Sequence, residues 1–136
     1  MPEIKETDWA YAAGFVDGEG CIAITRSFSP QRNRFYYGVA VVVSNRDRSV
    51  LDWFKEVWGG HVLLFSPDRG GKAVPAWNWR SLTGANSWPF LSGIRPYLRI
   101  KSAQCTNALA MAVLLRRSSY TLGRRTLPEA WLREQE

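Results

Sequence analysis

Two carboxylates, Asp17 and Glu19, close an apolar stretch that begins near Trp9, and glycines stand around them at 14, 18 and 20. If the stretch is a helix, both acids sit at its C-terminal end. There the helix dipole is negative and disfavours each of them by about 0.3–1 kcal/mol. A bound divalent cation would reverse that preference. Mg²⁺ takes hard oxygen ligands and is commonly held by one or two carboxylates together with phosphate oxygens and water. Taken alone, however, an acidic Gly-rich turn more often serves to cap its own backbone amides. The small residues Ala10, Ala13 and Gly14 on the same stretch would also let a second helix approach closely.

The elements that must hold these acids follow from periodicity. Residues 9–16 read as a first helix with Thr7 or Asp8 as N-cap, ending near Gly18 and Gly20. Residues 21–28 alternate, a Ser-Pro-Gln-Arg-Asn turn follows, and 35–44 are aromatic and β-branched, which predicts a hairpin. Residues 47–58 place Val50, Leu51, Phe54, Val57 and Trp58 on one helical face, stopped by Gly59 and Gly60. A second hairpin is expected from 61–66 and 76–82 around a Pro-Asp-Arg-Gly-Gly turn. A short helix over 88–92 follows, with Pro89 near its start and Gly93 at its end. From Ser102 the spacing of Thr106, Leu109, Ala110, Val113 and Leu114 predicts another helix closing on Arg116 and Arg117. Thr126 and Glu129 have capping-box spacing for a last short one. The order is that of an α+β domain with one antiparallel sheet, helices on one face and the other face free.

At 136 residues, 46% hydrophobic and 13% aromatic, the chain fits one packed domain and not two. Its core is expected over about 7–116, with a basic loop and short helix over 117–136. The net charge is +6, and residues 69–128 hold ten Lys or Arg and no Asp or Glu. A foldable chain with such a stretch suits a polyanion, most commonly nucleic acid, although a solvated basic surface would have the same composition. Cys21 and Cys105 have no metal-ligand spacing and are read as small reduced core residues. The N-terminus lacks the pattern of a secretory signal, and the apolar runs at 39–43 and 108–115 fall well short of the ~20 residues that cross a bilayer. A soluble, intracellular protein with no membrane partner is expected.

The stretch Ala12-Ala-Gly-Phe-Val-Asp-Gly-Glu-Gly20 resembles the LAGLIDADG motif of homing endonucleases, with Ala12 for the leading Leu and Glu19 for the second Asp. Ser44-Asn-Arg-Asp47 followed by Leu51 resembles the family's segment at the end of the second strand, where a Gln or Asn lies near the active site. Pro96-Tyr-Leu-Arg-Ile-Lys101 resembles its Pro-aromatic-Leu-x-x-Lys. The resemblance implies the αββαββα fold with a saddle-shaped antiparallel sheet that lies on double-stranded DNA. It makes Glu19, helped by the Gly18 carbonyl, the metal ligand for Mg²⁺, with Mn²⁺ or Ca²⁺ able to substitute in binding and Ca²⁺ not supporting cleavage. Asn45 and Lys101 would orient water or stabilise charge, and Asp17 would bond backbone amides at the turn or the dimer interface. The motif occurs once, and cutting two strands needs two sites. The chain should therefore pair with itself through Ala10, Ala13 and Gly14, giving a two-fold dimer and a near-palindromic site.

If Glu19 faces DNA, alternation places Cys21, Ala23, Thr25 and Ser27 on the same side. Tyr36, Gly38, Ala40 and Val42 would join them from the second strand, and Asn78 and Arg80 from the later hairpin, leaving Trp77 and Trp79 to the core. Arg80 would suit guanine, Asn78 adenine, and Ala40 and Val42 thymine methyls. Arg32, Arg34, Arg69, Lys72, Arg116, Arg117, Arg124 and Arg125 are the expected phosphate contacts, so affinity should fall with salt. The competing readings are an RNA-splicing maturase that takes intron RNA, a non-cleaving DNA-binding protein on the same scaffold, and a protein-interaction module, which would leave the acid-free basic stretch without a purpose.

Overall fold

The first carboxylate-bearing segment forms one helix, α1 (Glu6–Glu19), that runs directly into β1 (Gly20–Ser29) in the computed structural model, which describes residues 3–65 and 75–119. The direct junction depends on Gly20. A Cβ there would stand 2.8 Å from Val16 Cα and 2.9 Å from Val16 O, closer than real side chains come. The helix starts three residues earlier than the expected Trp9. Neither Thr7 nor Asp8 is its N-cap; Lys5 is, and Asp8 in the first turn accepts the Lys5 N–H at 3.0 Å. Glu6 and Asp8 together suit the positive end of the helix dipole.

β1 pairs antiparallel with β2 (Arg34–Asn45) across a turn in which Asn33 takes a positive φ of 49°, a conformation Asn tolerates. Asp47 caps α2 (Arg48–Trp58) by accepting the Ser49 N–H at 2.9 Å. Gly59 and Gly60, both at positive φ, turn the chain into β3 (His61–Phe65). β4 (Ala76–Arg80) then inserts between β2 and β3, so the sheet order among the described residues is β1-β2-β4-β3. A 3-10 turn (Gly84–Ser87), α3 (Trp88–Ile94), a second 3-10 turn (Arg95–Tyr97) and α4 (Ser102–Ser119) complete the helical layer. The expected helix after Thr126 lies outside the described residues.

One face of the sheet carries Val39, Val41, Val43 and Trp79, all buried, against Val16, Leu51, Phe54, Leu91, Ile94 and Met111 from the helices. Phe54 and Trp79 stack with centroids 4.9 Å apart, and the Trp79 indole N–H finds the Gly59 carbonyl at 2.8 Å. α4 does not use the expected stripe: it buries Cys105, Ala108, Met111 and Ala112, leaving Thr106, Ala110 and Val113 exposed. The small Cys105, Ala108 and Ala112 face inward with Met111 among them, and Leu109 and Leu115 pack at the edge of the core. The two thiols also part ways. Cys105 is buried, with its S–H on the Leu91 carbonyl, whereas Cys21 is exposed on the free face of the sheet and is no core residue. Among the described residues no helix is long and apolar enough to cross a membrane.

Candidate active site

The two carboxylates that open the problem are treated oppositely by the fold. Asp17 accepts three backbone N–H groups from the segment before α4: Arg99 at 2.7 Å, Ile100 at 3.2 Å and Lys101 at 3.0 Å. Burial pushes its carboxyl up, but the amides of Arg99, Lys101 and Ile100, with the Lys101 charge, outweigh that and hold it below its ordinary value. In return the Lys101 ammonium donates to the carbonyls of Val16 at 3.0 Å and Asp17 at 2.7 Å. A cation thus meets two carbonyls at the negative end of α1, Asp17 and Val16, the latter also accepting the Gly20 N–H. The result is a reciprocal clamp between the end of α1 and the start of α4.

Glu19 stands just past that clamp as the last residue of α1. It is exposed, and its side chain makes no hydrogen bond or ion pair with any described residue. The next residue, Gly20, pairs with Val43, and β2 continues from there to Ser44 and Asn45. Asn45 therefore lies at the same end of the sheet as Glu19. It shares a face with its partner Trp77, and its carboxamide oxygen accepts the Asp47 N–H at 2.7 Å ahead of α2. Its amide N–H groups remain to orient another group. Lys101, likewise, has two donors engaged on α1 carbonyls and one left over.

The strand register places Cys21, Ala23, Thr25 and Ser27 on one face with Tyr36, Gly38, Ala40, Val42 and Ser44, and with Asn78 and Arg80 of β4. Trp79 is on the other face in the core, and Trp77 packs against it. The free face is not uniformly reachable. Ala40 is only 3% exposed, and Thr25 leans over Gly38 so closely that a Cβ there would meet its hydroxyl at 2.7 Å. Ser44 and Asn78 are joined through a hydroxyl donating to the amide oxygen at 2.5 Å. No sequence signal links residues so far apart; only the β2–β4 register does. The Asn78 oxygen is thus already engaged, which weakens the expected two-bond match to adenine.

Several expected positions differ. Ala13 is wholly buried in the chain's own core and cannot face a second helix, whereas Ala10 and Gly14 are exposed on the outer side of α1. Added Cβ atoms at Gly14 and Gly18 would meet nothing. Arg116 and Arg117 line a hollow with Ala85, Trp88, Ala112 and Val113, on the helical side and away from the free sheet face. Arg32 donates to the Tyr36 hydroxyl at 3.3 Å near the hairpin end, beside half-buried Arg34. Arg69, Lys72, Arg124 and Arg125 lie outside the described residues. Among the described residues no group of three or more His, Cys, Asp or Glu could hold a metal alone.

No protein-family model matches the chain, and no curated protein does. Solved structures do. The homing endonuclease I-CvuI, in complex with its target in the presence of calcium, superposes with a TM-score of 0.67 at 22% identity, over 84% of this chain and 71% of that one. An archaeal intron-encoded homing endonuclease complexed with DNA gives 0.67 at 16% identity, over 85% and 73%. The LAGLIDADG homing endonuclease I-SmaMI bound to cleaved DNA gives 0.67 at 17% identity; the match spans 98% of this chain but 44% of that one. The fold is that of the LAGLIDADG homing endonucleases.

Proposed function

We propose that the chain is a site-specific DNA endonuclease that works as a two-fold homodimer and hydrolyses one phosphodiester bond in each strand of a long, near-palindromic duplex. The observation that carries this reading is the contrast at the end of α1: the Asp17 carboxylate is engaged by three amides, and the Glu19 side chain two residues on has no partner among the described residues. A solvent-facing carboxylate at a helix C-terminus is disfavoured by the helix dipole, and one that stands two residues from a half-buried anchor suits a ligand better than it suits stability. Solved structures of this fold include DNA complexes, one with calcium present and one with magnesium in which the DNA is not cleaved.

The donor set fits a divalent cation only as a shared site. One chain offers the Glu19 carboxylate and the Gly18 carbonyl, both hard oxygen donors, and too few ligands to close a shell. Phosphate oxygens and water would supply the rest, so cation binding should be weak without DNA. When bound, the cation supplies Lewis acidity to the scissile phosphate and lowers the pKa of bound water. Glu19 positions it. Lys101 holds its ammonium at the end of α1, with one N–H free for a phosphate oxygen, and Asn45 offers its amide N–H groups to water or phosphate. One site per chain, with Ala10 and Gly14 exposed on α1, supports pairing of two copies along this helix.

The test is cleavage of a randomised duplex library with Mg²⁺ by the parent and by Glu19→Gln. Enrichment of one long, partly palindromic sequence by the parent alone is the expected outcome. Binding without cleavage by either protein would overturn the nuclease reading, and a stable monomer on DNA in sedimentation would overturn the dimer.

A further inference from the structure

We propose that β3 reads thymine C5-methyl groups in the major groove through Leu63 and Phe65, which would make duplexes with two nearby thymines in each half-site the preferred substrate. The proposal rests on the DNA-binding reading above and adds to it a base preference. Leu63 and Phe65 are 60% and 50% exposed on β3, the edge strand among the described residues, where Leu64 on the opposite face is exposed as well. Pairing aligns His61 with Arg80, Leu63 with Asn78 and Phe65 with Ala76, so both apolar side chains share the free face with Arg80 and Asn78. The described strand residues on that face include no Asp or Glu, and Arg80 is exposed beside the two apolar groups.

An exposed apolar pair in a carboxylate-free, basic surface complements a groove that is anionic at its walls and displays methyl groups on its floor. The C5-methyl of thymine is the one apolar group a base pair presents there. The spacing agrees. Residues two apart on a strand are separated by about 6.6 Å, and two base steps along one DNA strand by about 6.8 Å. A strand lying along the groove would put Leu63 and Phe65 over thymines separated by one base pair. The β1–β2 part of the same face carries hydroxyls at Thr25, Ser27 and Tyr36 beside the smaller, less exposed Ala40 and Val42, so the large exposed apolar pair belongs to β3.

The experiment replaces thymine by uracil, one position at a time, in the duplex selected from the library, and measures binding of the full chain in Ca²⁺ by fluorescence anisotropy. Loss of one buried methyl should weaken binding about fourfold, at two positions two steps apart in each half-site. Leu63→Ala should abolish sensitivity at one of them and Phe65→Ala at the other. Both residues are exposed, so the variants should keep the parent's thermal transition. Uracil tolerated throughout, or sensitivity unchanged in Leu63→Ala, would overturn the proposal while leaving the nuclease reading intact. A dimer weakened by Leu63→Ala with base preference unchanged would mark β3 as a contact between copies and overturn it as well. If no duplex is bound selectively, both readings fall.

Discussion

The two faces of the sheet are made from alternate residues of the same strands, yet they follow opposite rules. At the centre of the inner face the large side chains are buried: Trp79 packs against Phe54 and donates to Gly59, and Val39, Val41 and Val43 lie beneath the helices, while Leu64 and the Phe28–Phe35 pair stay exposed at its margins. On the free face, internal contacts are sparse. Ser44 joins Asn78 and Arg32 joins Tyr36, while Leu63 and Phe65 project into solvent. The inner face is determined by packing, where a misplaced methylene costs stability. The outer face is left for something outside the chain. The end of α1 repeats this contrast within three residues, with Asp17 belonging to the fold and Glu19 to the proposed chemistry.

Substitutions on the two sides should separate stability from function. The largest effect on stability is expected for Trp79→Ala, which removes a wholly buried ring and orphans a carbonyl; unfolding in urea should show a loss of about 3–5 kcal/mol. Unchanged stability would mean that the aromatic cluster is not the core of the fold. Asp17→Asn should follow at about 1–3 kcal/mol, because an amide nitrogen would be turned toward backbone donors. The same variant bears on pH. The folded Asp17 carboxyl titrates below its ordinary 3.8, so the clamp contributes stability above that value and loses it as pH falls through the folded pKa. The parent should therefore lose stability more steeply below about pH 4 than Asp17→Asn does.

On the free face, Thr25→Ala and Ser27→Ala should stay within about 0.5 kcal/mol of the parent in stability while shifting base preference in library selection. Glu19→Gln belongs with them: parent-like unfolding with cleavage lost. A destabilised Glu19→Gln would show that the carboxylate serves the fold after all. The smallest effect concerns the thiols. Burial, against a lowering by Arg95, pushes the Cys105 thiol up to about 11, so a thiol reagent near neutral pH should label Cys21 and leave Cys105 untouched until the protein unfolds.

Much of this was legible in the chain. The strand alternation assigned each residue of β1, β2 and β4 to its face, because a two-residue period leaves only two choices and the apolar set selects one. Element ends were less legible. The start of α1 was missed because Asp8 caps equally well from within the first turn as from before it. The α4 stripe differs because the helix is turned so that Cys105, Ala108, Met111 and Ala112 point inward, with Leu109 at the edge of the core and Val113 exposed, and the direction a helix face takes is set by its neighbours. Asn45 and Lys101 were named for the active site through a resemblance; their bonding to the Asp47 amide and to the Val16 and Asp17 carbonyls had no local signal.

The amino-acid sequence by itself determined the order of helices and strands, the two faces of the sheet and the acidic end of α1, because these depend on periodicity and on contacts between near neighbours. Only the tertiary structure decided which carboxylate is free. That choice follows from bringing residues 99–101 to the end of α1, where three amides close around Asp17 and none reaches Glu19. Contacts across more than eighty residues arise from packing the whole domain, and no local pattern encodes them.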